Sequence, residues 1–510
     1  MLWQNINVIV FWIQEVFFLE YILNRAEAAE IDRISIEEAG IPSVVLMEKA
    51  AMAVAGCVSK IAAPGAKILA VCGMGNNGGD GVACARILKE AGFDVSIFLA
   101  GSSAKTTKEM EIQVNIAKNL DVRFITKPEG NEYNIIIDAL FGIGLSRNIE
   151  GEYAEWVNWI NSQSSEVVAA DIPSGINADN GQVYGCAVKA SYTVTFGSNK
   201  RGIAVFPGAA YSGKVIVADI GFPARALLKA APKAYTYKKE DLPSLMPERK
   251  ARTNKGSFGK VFIIAGSAGM SGACCLAAKA AYRAGCGLVR VATALQNINI
   301  LKTYLPEAIT GTYEDGIAHG IDWADVIAIG PGTGTDENAK KLVTEVLKIK
   351  DKPVVMDADA LNVLPLLMPD GTGADSYNLG SNFIITPHLR EMSRLTGADL
   401  NDIKENIIDY ASCHKSGCTV VLKDARTIVS DGSSIYINTT GNNALATGGS
   451  GDVLCGITAG LLAQGMEPME AACLAVCIHG AAADLYAEKK NRYSMLASDI
   501  IEELQFILPF

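Results

Sequence analysis

Histidine is scarce in this chain, with four among 510 residues. A His-rich metal centre is therefore excluded. Cysteine is not scarce, with twelve, but it lacks the spacings that carry chemistry. No two stand as C-x-x-C, and Cys274 and Cys275 are simply adjacent, so nothing starts a zinc or dithiol site. Twelve in a chain of this length do not make a disulfide scaffold, and free thiols in a reducing cytosol are expected. Charge is sparse too: Asp, Glu, Lys and Arg make up 20% of residues, with a balance of −10. A nucleic-acid backbone needs clustered Lys and Arg, so that class of partner is excluded.

Uninterrupted apolar runs long enough to span a bilayer are also lacking. Residues 1–20, MLWQNINVIVFWIQEVFFLE, are apolar but broken by Gln4, Asn5, Asn7, Gln14 and Glu15. They carry neither a basic leading segment nor an A-x-A cleavage site. A non-membrane extension is expected there, with a membrane-surface anchor as the alternative. No other segment reads as transmembrane, and a cytoplasmic protein without a membrane partner is expected. Low complexity and short repeats are absent.

What is present is a large apolar fraction, 49%, enough for two or three packed domains. In the first half the runs AKILAVC, DVSIFLA, NIIIDAL, EVVAADI, YTVTFG and KVIVADI alternate with helical patterns. That alternation predicts a parallel sheet covered on both faces. Residues 221–250 hold prolines, a basic cluster and little periodicity, so a linker is expected near 225–240. From KGSFGKVFIIAGS onward the same alternation resumes, and the last 60 or so residues read as helical. The expected division is an extension over 1–20, a first α/β domain over 21–230 and a second over 236–510.

The stretch CGMGNNGGDG, residues 72–81, follows a strand-like run and precedes a helical one. It contains G-x-G-x-x-G at Gly73, Gly75 and Gly78. Glycines there let backbone approach a ligand, and the helix start favours an anion. A dinucleotide-binding turn also wants an acid ending the next strand, but Asp94 begins that strand instead. A simple dehydrogenase is therefore disfavoured. Asn76, Asn77 and Asp80 add amide and carboxylate oxygens suited to a hard cation or to sugar and amide groups. DALFGIGLSR (138–147) and DIPSGINADNG (171–181) place Asp138 and Asp171 at further strand ends, where open α/β sheets bind ligands. Each Asp taken alone could equally be a cap or turn residue.

In the second half, NNALATGGSGDVLCG (442–456) sets glycines and Asp452 before an apolar helical run. Such a turn can cradle a moving phosphoryl group, and a carboxylate there can take a hydroxyl proton. GAAYSGKV (208–215) fits part of a P-loop but lacks the Ser or Thr for magnesium and precedes a strand, so it is set aside.

The first-half motifs NNGGDG, DALFGIGLSR and DIPSG, with AAEIDRISIEEAGIPSVVLMEKA at 28–50, resemble the NAD(P)H-hydrate epimerase domain over roughly residues 21–230. The resemblance implies a Rossmann-like three-layer fold that binds hydrated nicotinamide cofactors, NADHX and NADPHX, with a potassium ion. It implies substrate contacts from Asn76, Asn77, Gly78, Gly79 and Asp80, and from Gly142, Ile143, Gly144, Leu145, Ser146, Arg147 and Asn148. Tyr153 and Asp171 join them, with Asp171 at the reacting carbon. Potassium falls to Asn77, Asp138 and Ser174. Met74 stands where the family often has proline.

The second half resembles the ribokinase-like NAD(P)H-hydrate dehydratases through KGSFGKVFIIAGSAGMSG, AIGPGTG, DADALN, TPHLREMSRLTG and GGSGDVLCG. By that resemblance Ala273, Gly332, His388 and Asp452 contact the hydrate. Lys423, Asp424, Ala425, Arg426, Thr427 and Gly451 contact the nucleotide, and Asp452 is the base. Asp424 replaces a usual Gly, and Ala444-Leu445 replaces Gly-Met. The implied activity is repair: the first domain interconverts the R and S hydrates. The second phosphorylates the S form from ADP (or ATP), giving AMP and phosphate with ADP, and restores NAD(P)H. Magnesium is expected on the nucleotide phosphates, and a homo-oligomer is expected. A sugar or vitamin kinase fused to a nucleotide-sensing domain is the competing reading, and an accumulating phosphorylated product would mark it. A non-catalytic scaffold fits poorly with Asp171 and Asp452 both present.

Overall fold

A computed structural model describes residues 19–101, 106–130, 132–367, 379–412 and 417–508. The extension expected over 1–20 lies almost wholly outside the described residues. The chain divides into two compact units, one of Glu20–Ala234 and one containing Tyr235–Phe510.

In the first unit the strands are β1 (Leu19–Leu23), β2 (Lys67–Cys72), β3 (Asp94–Leu99), β4 (Arg123–Ile125), β5 (Ile135–Ala139), β6 (Glu166–Ala170), β7 (Tyr192–Phe196), β8 (Asn199–Lys200) and β9 (Lys214–Ala218). Seven of them form a sheet in the order β4-β3-β2-β5-β6-β7-β9, every pair parallel. Alternation along β2 explains the layering. Ile68, Ala70 and Cys72 pack with Val54, Val82 and Met110 from the helices Ser43–Ile61, Asn76–Glu90 and Lys108–Asn119. Leu69 and Val71 point the other way, onto Trp156, Val157 and Ile160 of the helix Gly151–Ser162. Because both faces are covered, the central strands read as continuous apolar runs. Strand order reverses between β2 and β5, and a crevice at such a switch point is where open α/β sheets take ligands.

The second unit has β10 (Ala234–Tyr237), β11 (Lys260–Ile264), β12 (Leu288–Thr293), β13 (Ile309–Thr312), β14 (Val326–Ile329), β15 (Val354–Met356), β16 (Phe383–Ile385), β17 (Thr419–Leu422), β18 (Ile428–Ser430) and β19 (Ile435–Ile437). Their order is β13-β12-β11-β14-β15-β16-β17-β18-β19-β10. Pairing is parallel from β13 to β17 and antiparallel from β17 through β19. Val261 and Ile263 of β11 face the helices Ser271–Arg283, Ser450–Ala463 and Pro468–Lys489. Phe262 faces the opposite side, where a Cβ on Gly320 of the helix Tyr313–Trp323 would sit 2.3 Å from its ring. Gly456 lets two of the first-face helices touch, since a Cβ there would meet the Ala277 carbonyl oxygen at 2.2 Å.

Both units are α/β with parallel sheets between helical layers, the expected class. The helix Pro468–Lys489 is long and apolar enough to cross a membrane by length and composition, but 78% of its apolar window is buried within the protein. It is a core helix. The segment read as a bare linker carries structure. Ala224–Ala230 is helical, ends at left-handed Ala231 (φ 45°), and is followed by β10. Ala226 supplies the reason, being fully buried against Ile31 and Ile34, which a single apolar position cannot reveal as periodicity.

Candidate active sites

In the first unit a cleft of about 730 Å3 opens at the carboxyl ends of β2, β5 and β6, a volume suited to a small-molecule ligand. Three sequence segments reach it from those strand ends. The first is the turn after β2. Gly73 must be glycine because a Cβ would lie 2.1 Å from the Leu140 carbonyl oxygen, and Gly78 because its Cβ would lie 1.8 Å from the Gly73 carbonyl oxygen. Gly78 and Gly79 are buried and do not line the cleft, whereas Asn76, Asn77 and Asp80 do.

The second segment follows β5. Asp138 is fully buried. Its Oδ1 accepts the Ser174 hydroxyl at 2.6 Å, and its Oδ2 accepts the Ser174 N–H at 2.8 Å. Burial pushes the Asp138 carboxyl up to about 6 despite those bonds. The Ser174 Oγ also accepts the Phe141 N–H at 2.9 Å. One residue on, an added Cβ at Gly142 would lie 3.1 Å from Asn77 Oδ1 and 3.2 Å from Asp171 Oδ2. Phe141-Gly142 therefore ties the Asp138–Ser174 pair to Asn77 and Asp171. Among the described residues, Asn77 Nδ2 is buried without a partner. Gly142 to Arg147 line the cleft; Arg147 is exposed, and Asn148 is exposed beyond the lining. Tyr153 lines it too, its hydroxyl donating to the Ala100 carbonyl at 3.3 Å.

The third segment follows β6. Asp171 takes a left-handed backbone, φ 68°, uncommon for a residue with a Cβ and frequent at functional sites. Its Oδ1 lies 3.0 Å from Lys200 Nζ. Lys200 is 2% exposed and also donates to Thr195 Oγ1 at 2.9 Å and to the Phe196 carbonyl at 2.8 Å. Short strand β8 places it by pairing Lys200 with Leu23 of β1. Asp32, on the helix Arg25–Arg33, lines the same cleft. Burial and then the Asp171 charge push Asp32 up to about 6, while Lys200 opposes. Burial, with Asp171 and Asp32, raises Asp80 as well. Sequence reading assigned no role to Asp32 or Lys200. Asp32 lay inside a quoted motif, and Lys200 follows the YTVTFG strand, but neither has a spacing signal.

In the second unit Gly332, Asp357 and His388 follow the parallel strands β14, β15 and β16, whereas Asp452 opens a helix after antiparallel β19. Gly332 lies beyond β14 at φ 60°, and its Cβ would meet Ala273 Cβ at 3.1 Å, so Ala273 and Gly332 are neighbours. Asp357 ends β15, with its Oδ1 accepting from Lys423 Nζ, after β17, at 2.6 Å. A Cβ on Gly451 would lie 3.5 Å from Lys423 Nζ and 3.7 Å from Asp357 Oδ2. Asp452, in the first turn of the helix that follows left-handed Gly449, stands at this pair. Burial, then Asp357, pushes its carboxyl up to about 6, with Lys423 opposing.

His388 has a structural task. Its Nδ1 accepts the Arg390 and Glu391 N–H groups, both at 3.1 Å, and Glu391 Oε2 accepts the His388 N–H at 2.8 Å. The TPH-x-x-E pattern is thus a helix N-cap with a reciprocal Glu. Nε2 remains 3.4 Å from Glu391 Oε1, and 48% of the side chain is exposed. Lys423 to Thr427 form the turn between β17 and β18. Asp424 and Ala425 are exposed there, while Arg426 donates to the Thr439 carbonyl at 2.9 Å and leaves its buried Nε unpartnered. Asp424 does not have a positive φ, so replacing the usual Gly strains nothing. Among the described residues, no group of three or more His, Cys, Asp or Glu could hold a metal ion.

Comparison with known proteins follows this division. The NAD(P)H-hydrate dehydratase family matches residues 261–506, and the YjeF-related protein N-terminus family matches 43–202. The bifunctional NAD(P)H-hydrate repair enzyme of Moorella thermoacetica is 35% identical over 96% of this chain and 96% of its own. That of Coxiella burnetii is 36% identical over 94% and 97%. The ADP/ATP-dependent NAD(P)H-hydrate dehydratase from Bacillus subtilis, co-crystallised with ATP and Mg2+, is similar at 30% identity and a TM-score of 0.47, covering 53% of this chain and 96% of that one. With relatives matched almost end to end, the chain belongs to the family of bifunctional NAD(P)H-hydrate repair enzymes.

Proposed function

We propose that this chain repairs hydrated NADH and NADPH. The first-unit cleft interconverts the R and S hydrates, and the second-unit site dehydrates the S hydrate at the expense of ADP. The observation that carries the reading is the pair of carboxylates: Asp171 beyond parallel strand β6 in a ligand-sized cleft, and Asp452 in the first helical turn after the glycine-rich run 448–451. Hydroxide is a poor leaving group and phosphate a good one. The second site therefore first moves a phosphoryl group onto the hydrate's hydroxyl. Asp452, ionised, takes that hydroxyl's proton. Gly448 and Gly451 leave room for the phosphoryl group, and Lys423 faces it with positive charge. Ala273 and Gly332 border the hydrate, His388 presents Nε2 to it, and Asp424 to Thr427 hold the nucleotide.

In the first unit, the cleft-lining residues Asn76, Asn77, Asp80 and Gly142 to Arg147 bind the hydrate, and Asp171 works at its reacting carbon. The oxygens of Asn77, Asp138 and Ser174 fit a potassium ion. They are hard donors, and the missing Cβ of Gly142, which would lie 3.1 Å from Asn77 Oδ1, leaves space beside that oxygen. Potassium would neutralise buried Asp138 and fix the 141–142 backbone. Magnesium, carried by the nucleotide phosphates, would neutralise their charge. The adjacent Cys274 and Cys275 are both free thiols, which supports a reducing cytosol. The test is to mix the chain with both epimers, ADP and magnesium and follow NADH absorbance. Full conversion of the mixture is expected, and accumulation of a phosphorylated compound without NADH would overturn the reading.

A further inference from the structure

Four carboxyl groups line the first-unit cleft, Asp32, Asp80, Glu109 and Asp171, and among the described lining residues Lys200 is the one buried cation. Glu109 accepts the Ser43 hydroxyl. Lys200 places its ammonium against Asp171, Thr195 and Phe196, which uses all three donors. Asp32 and Asp80 therefore have no cation in contact. Among the described residues no hydrogen bond engages the carboxyl of either. Asp80 lies deeper, at 9% exposed, on the helix Asn76–Glu90. Asp32 is less deeply buried and lines the opening. Two carboxyls in one cleft, one ion-paired and one not, are the arrangement that separates an acid from a base.

We propose that Asp32 is the second acid–base group of the epimerase site, working with Asp171, and that Lys200 is the positioning residue that gives the two carboxyls opposite roles. This rests on the epimerase reading above. The hydrate carries its hydroxyl on the ring carbon bonded to the ring nitrogen, so it is a hemiaminal and can invert by opening. The Asp171 carboxylate takes the hydroxyl proton. The oxygen lone pair forms a C=O bond, the carbon–nitrogen bond breaks, and its electron pair goes to nitrogen, where the conjugated carboxamide spreads it. Asp32 gives its proton to that nitrogen. The free aldehyde turns its other face, and the nitrogen attacks it while returning the proton to Asp32. Asp171 returns its proton to the new hydroxyl. Each group ends as it began, and neither water nor a redox partner is consumed. Asp32 must start protonated. Its surroundings suit that: burial and the Asp171 charge hold its carboxyl up at about 6, against Lys200.

The test uses the full chain without nucleotide, so that only epimerisation runs, with R and S hydrates of NADH separated chromatographically. S-hydrate dehydration with ADP and magnesium reports the second unit independently. Asp32→Asn is expected to slow interconversion ~100-fold and to remove the decline in rate that the wild type shows as pH rises above about 6. Asp32→Glu should restore part of the rate together with that decline, which a purely structural role would not do. Lys200→Met should also slow interconversion while leaving S-hydrate dehydration unchanged. An Asp32→Asn chain within two-fold or so of wild type, with the decline intact, overturns the assignment while the epimerase reading stands. A wild-type chain that leaves the R hydrate at its spontaneous rate overturns that reading and this assignment together. Should Asp32→Asn fail to fold, the wild-type profile decides: a rate flat from about pH 5 to 9 overturns the assignment, and a fall above about 6 supports it.

Discussion

Lys423 Nζ lies 2.6 Å from Asp357 Oδ1, joining the ends of two strands, β17 and β15, that are separated by β16. Asp357 is 2% exposed at its side chain and Lys423 20%. A buried pair of this kind contributes little against two apolar residues, but breaking it strands a charge. Lys423→Met is expected to destabilise the second unit by about 3–5 kcal/mol. Urea unfolding followed by a second-unit probe measures this, and the doubly substituted chain with Asp357→Asn should recover part of the loss. Equal stability of Lys423→Met and wild type would show that water already reaches the pair.

Asp452 sits beside that pair and depends on it. A general base works ionised, and burial with the Asp357 charge holds Asp452 up at about 6. Dehydration of the S hydrate should therefore rise as pH climbs through about 6 and level off above it. Asp452→Asn keeps the shape but cannot take a proton. Turnover should fall by ~100-fold or more and lose that rise, with nucleotide affinity within a few-fold and R-to-S interconversion unchanged. Rates on each purified epimer across pH separate these effects.

Potassium makes a prediction that needs no turnover. Anomalous scattering from rubidium-soaked crystals should show a peak among Asn77, Asp138 and Ser174. Potassium chloride should raise the unfolding temperature of the first unit more than choline chloride does, as any ligand selective for the native state must. Asp138→Ala should abolish that difference. A rubidium map without a peak there would remove potassium from the site.

Residues whose position along a strand decides their location were readable from sequence. Asp138 and Asp171 end apolar runs, and a parallel sheet brings such ends together. Lys200 and Asp32 were not readable as neighbours of Asp171. They reach the cleft because β8 pairs beside β1 and because the helix Arg25–Arg33 contributes Asp32 to its lining, placements without a short-range pattern. His388 shows the opposite case. Its motif was legible, but most of the signal is a helix cap, a local task that shares residues with the site. The G-x-G-x-x-G match blends both kinds of information, and the structure separates its glycines.

That separation gives the last prediction. A Cβ at Gly78 would collide with the Gly73 carbonyl oxygen at 1.8 Å, backbone against backbone, whereas a Cβ at Gly75 would meet nothing within 4 Å. Gly75 also has an extended backbone, φ −96°, which alanine adopts freely. Gly78→Ala should therefore lower first-unit stability by about 1–3 kcal/mol or more, the scale of overpacking that rigid neighbours cannot relieve. Gly75→Ala should change it by less than about 0.5 kcal/mol. Gly75 nonetheless lines the cleft, so the empty space beside it is where a hydrate's phosphates would run. If so, Gly75→Ala keeps its unfolding midpoint but raises KM for R-hydrate interconversion several-fold. Unfolding curves and epimerisation kinetics on the two variants check both halves. A Gly75→Ala chain with unchanged KM would place the substrate elsewhere in the cleft, and a fully stable Gly78→Ala chain would show that the turn after β2 can open.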